Sequence, residues 1–343
     1  MIDFTYENKV LDFRSELLHS ISPDLIGDRL IKKKKIKPQL FHNLQVACYK
    51  YITANMIEHD IFPNKFSGGM SELVTTYAKD IINMTSVTPN GVIRPKKETL
   101  SEFNSIQNAL GLILDDAQIK AKKCRVPLSI RIVTSDDDPK ILERPRSNHK
   151  LHSDFWTGAV CDFAILLPVF GTLDTIDVAF GEPLGFDESF LQEVTNYSDG
   201  QKLYKSFIPY ETRMELGSMF FQDIFCLHGT RRSGKGARVS IDFTLQSEEY
   251  ENTIKPYYSN QQIESDNHID YEECLKVGRD SFIIEKESIS DLKKTNDYDK
   301  ISLVKGDAAA IKHQTSRTLR LIDMNTFEDI LDQIEGEVSP FCG

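Results

Sequence analysis

The sequence lacks several features that would assign a protein to a class at once. No apolar run is longer than the eight residues of 163–170, whereas a membrane-spanning helix needs about 20. The basic-then-apolar order of a secretory signal is missing from the first residues. Positive charge is also scarce, with 41 Lys and Arg against 52 Asp and Glu and a net charge of −11. We therefore expect a soluble, cytoplasmic protein with no nucleic acid and no membrane among its partners.

Closely spaced cysteines are absent too. No two of the six cysteines lie nearer to each other than Cys124 and Cys161, so there is no C-x-x-C pair of the kind that binds zinc. A disulfide framework is typical of small secreted chains and not of 343 residues without a secretory signal. A glycine-rich phosphate loop is also missing, because Gly234-Lys-Gly236 is too short to form one. We expect free thiols and no phosphate site of that type.

The first 125 residues have the periodicity of helices. Apolar residues at three- and four-residue spacing predict helices over residues 41–58, 73–84 and 99–114. The last of these opens with Thr99-Leu-Ser-Glu102, a capping-box pattern that predicts the helix start. The four lysines of 32–35 are interpreted as a solvated charge run, with a localisation or anion-binding patch as the alternative.

From about residue 126 the pattern becomes that of strands, and no helix is predicted between most of them. Alternating or continuously apolar stretches predict strands over residues 128–134, 163–167, 175–180, 219–225 and 238–245. Such a succession indicates an antiparallel sandwich or barrel and not a parallel sheet with crossover helices. The chain then turns polar, and we predict a loop over 248–270, weak helical structure over 271–290 and a terminal helix over 326–334.

Two copies of a metal-binding pattern stand out. His152-Ser-Asp154 and His268-Ile-Asp270 each place a histidine and a carboxylate two positions apart, on one side of an extended segment. Sites of two histidines and one carboxylate hold Fe(II) on one face and leave positions open for substrates. The second copy lies in acidic, polar surroundings without a predicted strand, whereas metal ligands need rigid support. We interpret that copy as a surface loop, and His152 and Asp154 as candidate ligands.

Three further residues extend the pattern of the first copy. An aromatic stretch leads up to His228, and Arg238-Val-Ser240 begins ten residues later. Alternation puts Arg238 and Ser240 on one face of a predicted strand and Val239 on the opposite, apolar face. Arginine suits a carboxylate because it forms two parallel hydrogen bonds, and a serine hydroxyl can add a third. This sheet region is therefore predicted to offer three metal ligands and a carboxylate clamp.

In their order and spacing, these residues resemble the Fe(II)/2-oxoglutarate-dependent dioxygenases, and the phytanoyl-CoA-dioxygenase-like branch in particular. The resemblance covers about residues 128–246. It implies a mainly β core with α additions, namely a double-stranded β-helix (a cupin-like jelly roll) flanked by N- and C-terminal helical segments. We accordingly predict an N-terminal helical region over 1–125, a catalytic core over 126–247, and a C-terminal extension of the same domain over 248–343.

The resemblance also implies a role for each residue. His152, Asp154 and His228 would bind Fe(II), while Arg238, assisted by Ser240, would bind the distal carboxylate of the cosubstrate 2-oxoglutarate. With O2, the implied reaction is hydroxylation of a small-molecule substrate, coupled to decarboxylation of 2-oxoglutarate to succinate and CO2. Residues 225–238 contain four Lys or Arg and no Asp or Glu. They would suit an anionic metabolite or 2-oxoglutarate itself, or they are ordinary solvated cations.

The candidates for contact with the substrate are Arg131, Arg146, Trp156 and Arg231. Trp156 would either form a pocket wall or pack in the core beneath the metal loop. Segments 135–147 and 181–201 are interpreted either as lid loops or as ordinary connections.

Other interpretations stay open. The pattern residues could be ordinary surface and turn residues, or the fold could be a jelly-roll binding module or a cupin-like metalloenzyme without oxygenase activity. A protein-modifying hydroxylase would use the flanking regions as surfaces for a partner. The sequence carries no information on the oligomeric state.

Overall fold

Antiparallel β-sheets form the centre of the molecule, and helices cover one side of them. The computed structural model describes residues 4–63, 66–88, 90–135, 144–158, 161–253, 268–285 and 319–323. The predicted antiparallel β core with helical additions is confirmed at this level. Within the described ranges, no helix has the length and apolar character needed to cross a membrane.

The longer helices lie in the first third of the chain. In chain order the helices are α1 (Phe4–Ser20), α2 (Pro38–Glu58), α3 (Met70–Thr76), α4 (Ala78–Ile82), α5 (Leu100–Asp116), α6 (Tyr197–Gly200), α7 (Tyr250–Thr253) and α8 (Tyr271–Cys274). Pro38 stands in the first turn of α2, where its missing N–H has no helical partner to lose. The predicted helix over 41–58 is confirmed.

The described strands form one large and two small sheets. They are β1 (Ile26–Asp28), β2 (Ile31–Lys35), β3 (Lys123–Arg125), β4 (Ser129–Thr134), β5 (Phe163–Gly171), β6 (Ile176–Leu184), β7 (Ser206–Pro209), β8 (Ser218–Asp223), β9 (Leu227–Arg232), β10 (Ala237–Gln246), β11 (His268–Asp270), β12 (Ser281–Glu285) and β13 (Leu319–Asp323). The eight-stranded main sheet has the order β1-β2-β8-β5-β10-β3-β11, with β4 also paired to β10. The three-stranded sheet, called the small sheet below, has the order β7-β6-β9, and β12 and β13 form a two-stranded sheet.

The two faces of the main sheet pack against different partners. On one face, Ile165 of β5 and Ile241 of β10 belong to a buried apolar cluster that includes residues of α2 to α5. On the other face, Phe220 of β8 stacks on Phe180 of β6, with the ring centroids 6.5 Å apart. The small sheet therefore faces the main sheet on the side away from those helices.

The first 125 residues are not uniformly helical. Residues 31–35, which include the lysine run, form strand β2, which lies between β1 and β8 in the main sheet. Its charges find partners there, because Lys33 and Lys35 both bind the Glu215 carboxylate at 2.8 and 2.9 Å. The backbone of β2 is thus paired on both sides, while its lysine side chains stay partly or fully exposed.

Two details of the predicted helices are wrong. The Thr99 hydroxyl bonds to the main chain of Lys96 and caps no amide of α5, because a 3-10 turn over Lys97–Thr99 precedes the helix. The single helix predicted over 73–84 is instead the two short helices α3 and α4, which are separated at Tyr77.

The structure also corrects the prediction for the C-terminal part. His268-Ile-Asp270 is strand β11 and pairs with β3, and His268 is buried. The prediction of a surface loop there is therefore wrong. The local sequence pattern could not reveal this strand, because its partner lies more than 140 positions earlier in the chain. Over 271–290 the short helix α8 is followed by strand β12. The predicted helix over 326–334 lies outside the described residues.

Candidate metal centre

The segment that carries His152 and Asp154 is anchored by the residue between them. The Ser153 hydroxyl is buried and donates to the Ile224 carbonyl oxygen at 2.6 Å, while it accepts the Phe155 N–H. Alternation then turns His152 and Asp154 to the opposite side from Ser153. Asp154 begins a 3-10 turn that ends the extended segment.

His228 is brought to this segment by the main chain. It lies on β9, opposite Phe180 of β6, and it also forms an isolated antiparallel bridge with His152. In this bridge each of the two histidines donates its backbone N–H to the carbonyl oxygen of the other, at 2.9 and 2.8 Å. The two imidazole centroids are 4.2 Å apart.

The three side chains converge on one point. One ligand atom from each of His152, Asp154 and His228 lies within 4.8 Å of the other two. Nε2 of His228 is 3.7 Å from Oδ1 of Asp154. The side chains of His228 and Asp154 are 16% and 21% exposed, so the cluster can be reached from solvent. Two imidazoles and a carboxylate at such separations can hold a divalent metal ion and leave positions free for other ligands.

Hydrogen bonding and burial prepare His152 to act as a ligand. Its Nδ1 is 2.7 Å from the Lys150 carbonyl oxygen, which can only accept, so Nδ1 carries a proton and Nε2 is left for a metal. Burial lowers the pKa of His152 well below its ordinary value, and His228 and Arg131 lower it further. The imidazole is therefore neutral near pH 7, as metal binding requires.

Two residues around the cluster were not found by sequence reasoning. Gln222 of β8 has its amide nitrogen 2.7 Å from Nδ1 of His228 and 3.2 Å from Oδ2 of Asp154. Tyr197 stacks on the His152 imidazole with the centroids 4.1 Å apart and the planes within 8°. A polar amide in the aromatic stretch 219–225 was the available signal for Gln222. Tyr197 had none, because its contact depends on how the short helix α6 folds back onto the metal-ligand segment.

Arg238 and Ser240 lie on β10, on the face that points away from α2 to α5. Arg238 is 2% exposed, and its Nη1 donates to the Ile176 carbonyl oxygen at 3.3 Å and contacts Met214 Sδ at 3.4 Å. Among the described residues it forms no ion pair with a carboxylate, and Nε of Arg238 and Oγ of Ser240 have no hydrogen-bond partner. Burial lowers the pKa of Arg238 to about 10, despite the attraction of Asp177 at longer range.

Two of the other predicted residues are arginines held by carboxylates. Arg131 of β4 is bonded to Asp242 through two nitrogens, at 3.0 and 3.4 Å, and it is close enough to lower the pKa of His152. Arg146 pairs with Glu193 at 2.7 Å and also donates to the Val194 carbonyl oxygen.

The remaining two predicted residues lie in contrasting surroundings. Trp156 is fully buried, where its indole N–H donates to the Phe190 carbonyl oxygen at 3.2 Å. This is the core position that the sequence left open as one alternative. Arg231 is exposed on β9.

The second copy of the motif is not part of a metal cluster in the described part of the chain. His268 Nε2 lies 2.9 Å from the Thr244 hydroxyl, and Asp270 is exposed. Among the described residues, His152, Asp154 and His228 are the group of histidine, cysteine or acidic side chains that could share one metal ion.

The chain resembles several solved structures at low sequence identity. No protein-family model and no curated protein sequence matches the chain. The similar solved structures include the non-haem α-ketoglutarate-dependent epimerase SnoN from nogalamycin biosynthesis. It is 8% identical over 70% of this chain and 84% of its own, with a TM-score of 0.29.

Two further solved structures are similar to the chain. The nickel complex of the non-haem monooxygenase ThoJ is 10% identical, covers 87% of this chain and 98% of its own, and has a TM-score of 0.30. A rice dioxygenase for auxin oxidation is 9% identical over 77% and 88%, with a TM-score of 0.27. Likenesses at these TM-scores do not show a shared function.

Proposed function

We propose that the protein is an Fe(II)/2-oxoglutarate-dependent oxygenase that hydroxylates a small polar metabolite. The observation that carries the proposal is the combination of an accessible His-Asp-His cluster with a buried arginine that no described carboxylate neutralises. The cluster supplies the donor atoms for the metal. The arginine supplies the charge that a dicarboxylate cosubstrate would bind.

The donor set fits ferrous iron. Nitrogen from His152 and His228 and oxygen from Asp154 are the ligand types that leave Fe(II) with three positions for other molecules. The hydrogen bond from His152 to the Lys150 carbonyl is the support that ligand histidines ordinarily have.

The surroundings of Arg238 fit a carboxylate. A buried cation without a paired carboxylate costs free energy, and an incoming anion would recover much of it. The unpartnered Nε of Arg238 and Oγ of Ser240 are donors that one carboxylate could accept. Ser240 lies two positions along the same strand, on the same face. These residues would bind the distal carboxylate of 2-oxoglutarate, while the metal would take its other end.

The chemistry then divides between the metal and the chain. Bound iron would supply the activation of O2 that oxidises 2-oxoglutarate to succinate and CO2 and inserts oxygen into the substrate. The chain's residues hold the reactants: Arg238 and Ser240 orient the cosubstrate, and Arg131 and Tyr197 lie beside the metal ligands. The guanidinium groups of Arg131 and Arg146 are paired with Asp242 and Glu193, so they add little net positive charge near the cluster. We therefore propose a substrate that is small and polar.

The test is turnover of 2-oxoglutarate to succinate by purified protein with Fe(II), ascorbate and O2. We expect uncoupled turnover without the prime substrate and its loss in Asp154→Ala. Asp270→Ala is the matched control, because Asp270 is the second acid of an H-x-D in the same chain but is exposed on β11. It should leave turnover unchanged.

Each failure has its own meaning. Iron binding with neither 2-oxoglutarate binding nor succinate would overturn the proposal in favour of a cupin-like metalloenzyme of another activity. Failure to bind iron after anaerobic reconstitution would indicate a binding module instead. Equal loss in the Asp154 and Asp270 variants would show that the assay reports folding and not the site.

A further inference from the structure

Gln222 is a buried amide whose side-chain hydrogen bonds, among the described residues, go only to two of the three candidate metal ligands. It lies on β8 between Phe221 and Asp223 and is 2% exposed. Its Nε2 is 2.7 Å from Nδ1 of His228 and 3.2 Å from Oδ2 of Asp154. The neighbouring side chain that shares its face of the strand, Phe220, is aromatic and fully buried.

The atoms that Gln222 contacts are those that a metal ion would leave free. Nε2 of His228 points toward Asp154, 3.7 Å from Oδ1, and these two atoms belong to the metal-facing side. Gln222 contacts Nδ1 and Oδ2, the other nitrogen and the other oxygen. It therefore lies behind the two ligands and does not compete with a metal for their donor atoms.

A carboxamide is the chemical group that can serve both neighbours. The carboxylate of Asp154 only accepts, so it requires an N–H from the amide. A metal ion on Nε2 of His228 leaves the ring proton on Nδ1, so Nδ1 then donates to the amide oxygen of Gln222, while the amide N–H donates to Oδ2 of Asp154. A carboxylate at this position would instead repel Asp154, and an apolar side chain would serve neither ligand.

We propose that Gln222 is a positioning residue of the metal centre, which holds the His228 imidazole and the Asp154 carboxylate in the mutual orientation that one cation requires. This proposal rests on the proposed function, because it presupposes that these side chains bind a metal. Residues that orient metal ligands in this way typically change metal affinity by about 10- to 100-fold when they are replaced.

The experiment measures metal binding directly, with Co(II) as the probe. Gln222→Met keeps the length of the side chain and removes both hydrogen bonds. We expect Co(II) affinity to fall by about 10-fold or more, the visible Co(II) absorption bands to shift, and the rise in melting temperature on adding Co(II) to shrink. The last two readouts report the geometry and loading of the site independently of activity.

Gln45→Met is the matched control. The Gln45 amide on α2 donates to the Val169 carbonyl oxygen at 2.9 Å, so this variant also loses an amide hydrogen bond, but on the helix-covered side of the sheet. Its Co(II) affinity and spectrum should equal those of the wild type. Each variant is compared with its own melting temperature without metal, so a general loss of stability does not count as a loss of affinity.

The outcomes separate the two proposals. Co(II) affinity of Gln222→Met within about threefold of the wild type, with an unchanged spectrum, overturns the role of Gln222 and leaves the oxygenase proposal intact. A wild-type protein that binds no Co(II) overturns both. If Gln222→Met does not fold, Gln222→Asn takes its place, because its amide is one methylene too short to reach both ligands. Its Co(II) affinity and spectrum are then judged by the same criteria.

Discussion

Two buried arginines in this molecule have opposite surroundings. Arg14 of α1 and Arg238 of β10 are each only 2% exposed. Arg14 Nε bonds to Asp223 at 2.8 Å, and its Nη1 bonds to Asp162 at 2.9 Å. Arg238 forms no ion pair with any described carboxylate.

The pKa values follow the partners. Burial by itself lowers the pKa of Arg14, but the charges of Asp223 and Asp162 outweigh it and the pKa is raised. Burial likewise lowers the pKa of Arg238, and there it is not outweighed, so the pKa falls to about 10.

The difference separates a structural charge from one that the proposed function assigns to cosubstrate binding. The Arg14 network is complete, because the second oxygen of Asp162 accepts both the N–H and the hydroxyl of Ser247. It fastens α1 to the ends of β5 and β8. Arg238 lies between β10 and β6 with its Nε unsatisfied, which destabilises the chain alone and favours binding of an anion. Incomplete polar satisfaction of this kind is expected at functional sites.

The largest effect on stability is expected from Arg14→Met. It leaves Asp162 and Asp223 buried without their cation, and removal of one partner from a buried ion pair typically costs about 3–5 kcal/mol. Chemical denaturation monitored by circular dichroism measures the change. A loss below about 1 kcal/mol would contradict the structural role assigned to the network.

Arg238→Met should change the affinity for 2-oxoglutarate much more than the stability of the fold. Removal of an unpaired buried charge should leave the free energy of unfolding unchanged or raise it by about 1 kcal/mol. The Kd for 2-oxoglutarate should rise about 100-fold, a loss of about 2.8 kcal/mol. Calorimetry measures the Kd for 2-oxoglutarate, and chemical denaturation measures the free energy of unfolding. A variant that is destabilised as much as Arg14→Met would remove the distinction between the two arginines.

Ser240→Ala tests the same idea with an uncharged group. The Ser240 hydroxyl is buried without a partner, so its removal should be neutral or slightly stabilising, while the Kd for 2-oxoglutarate rises about fivefold. Ser218→Ala is the matched control, because that buried hydroxyl donates to Glu215 at 2.9 Å. The control should lose about 1 kcal/mol of stability and keep its affinity for 2-oxoglutarate. Equal stability losses in the two variants would contradict the assignment.

Strand periodicity predicted which face of β10 carries the candidate residues. Arg238 and Ser240 were placed on the face opposite Val239, and the structure has them there. Tertiary contacts decided what local pattern could not. Gln222 meets Asp154 from 68 positions away, and β11 exists because β3 provides an edge for it.

Polar strands were the other difficulty. Residues 31–35 contain four lysines, and their strand form depends on pairing with β8 and on carboxylates such as Glu215. Likewise, the Thr99 pattern failed because a 3-10 turn ahead of α5 uses the same hydroxyl. Composition describes the side chains of such segments and not the backbone partners that determine their conformation.

The smallest effect is expected at His149, which contacts Arg232. This partly buried arginine is less buried than Arg14 and Arg238. Its Nη1 contacts Nδ1 of His149, and burial together with this charge lowers the pKa of His149 from 6.5 to about 4. Between these values the unfolded chain binds more protons than the folded one, so stability should fall as the pH is lowered from 6.5 toward 4.

Because the imidazole is half-exposed, solvent screening keeps this contribution small. Urea unfolding at about pH 7.5 and about pH 5 should show a smaller acid loss for His149→Gln than for the wild type. Identical losses would mean that His149 is protonated as readily in the folded protein as in the unfolded chain.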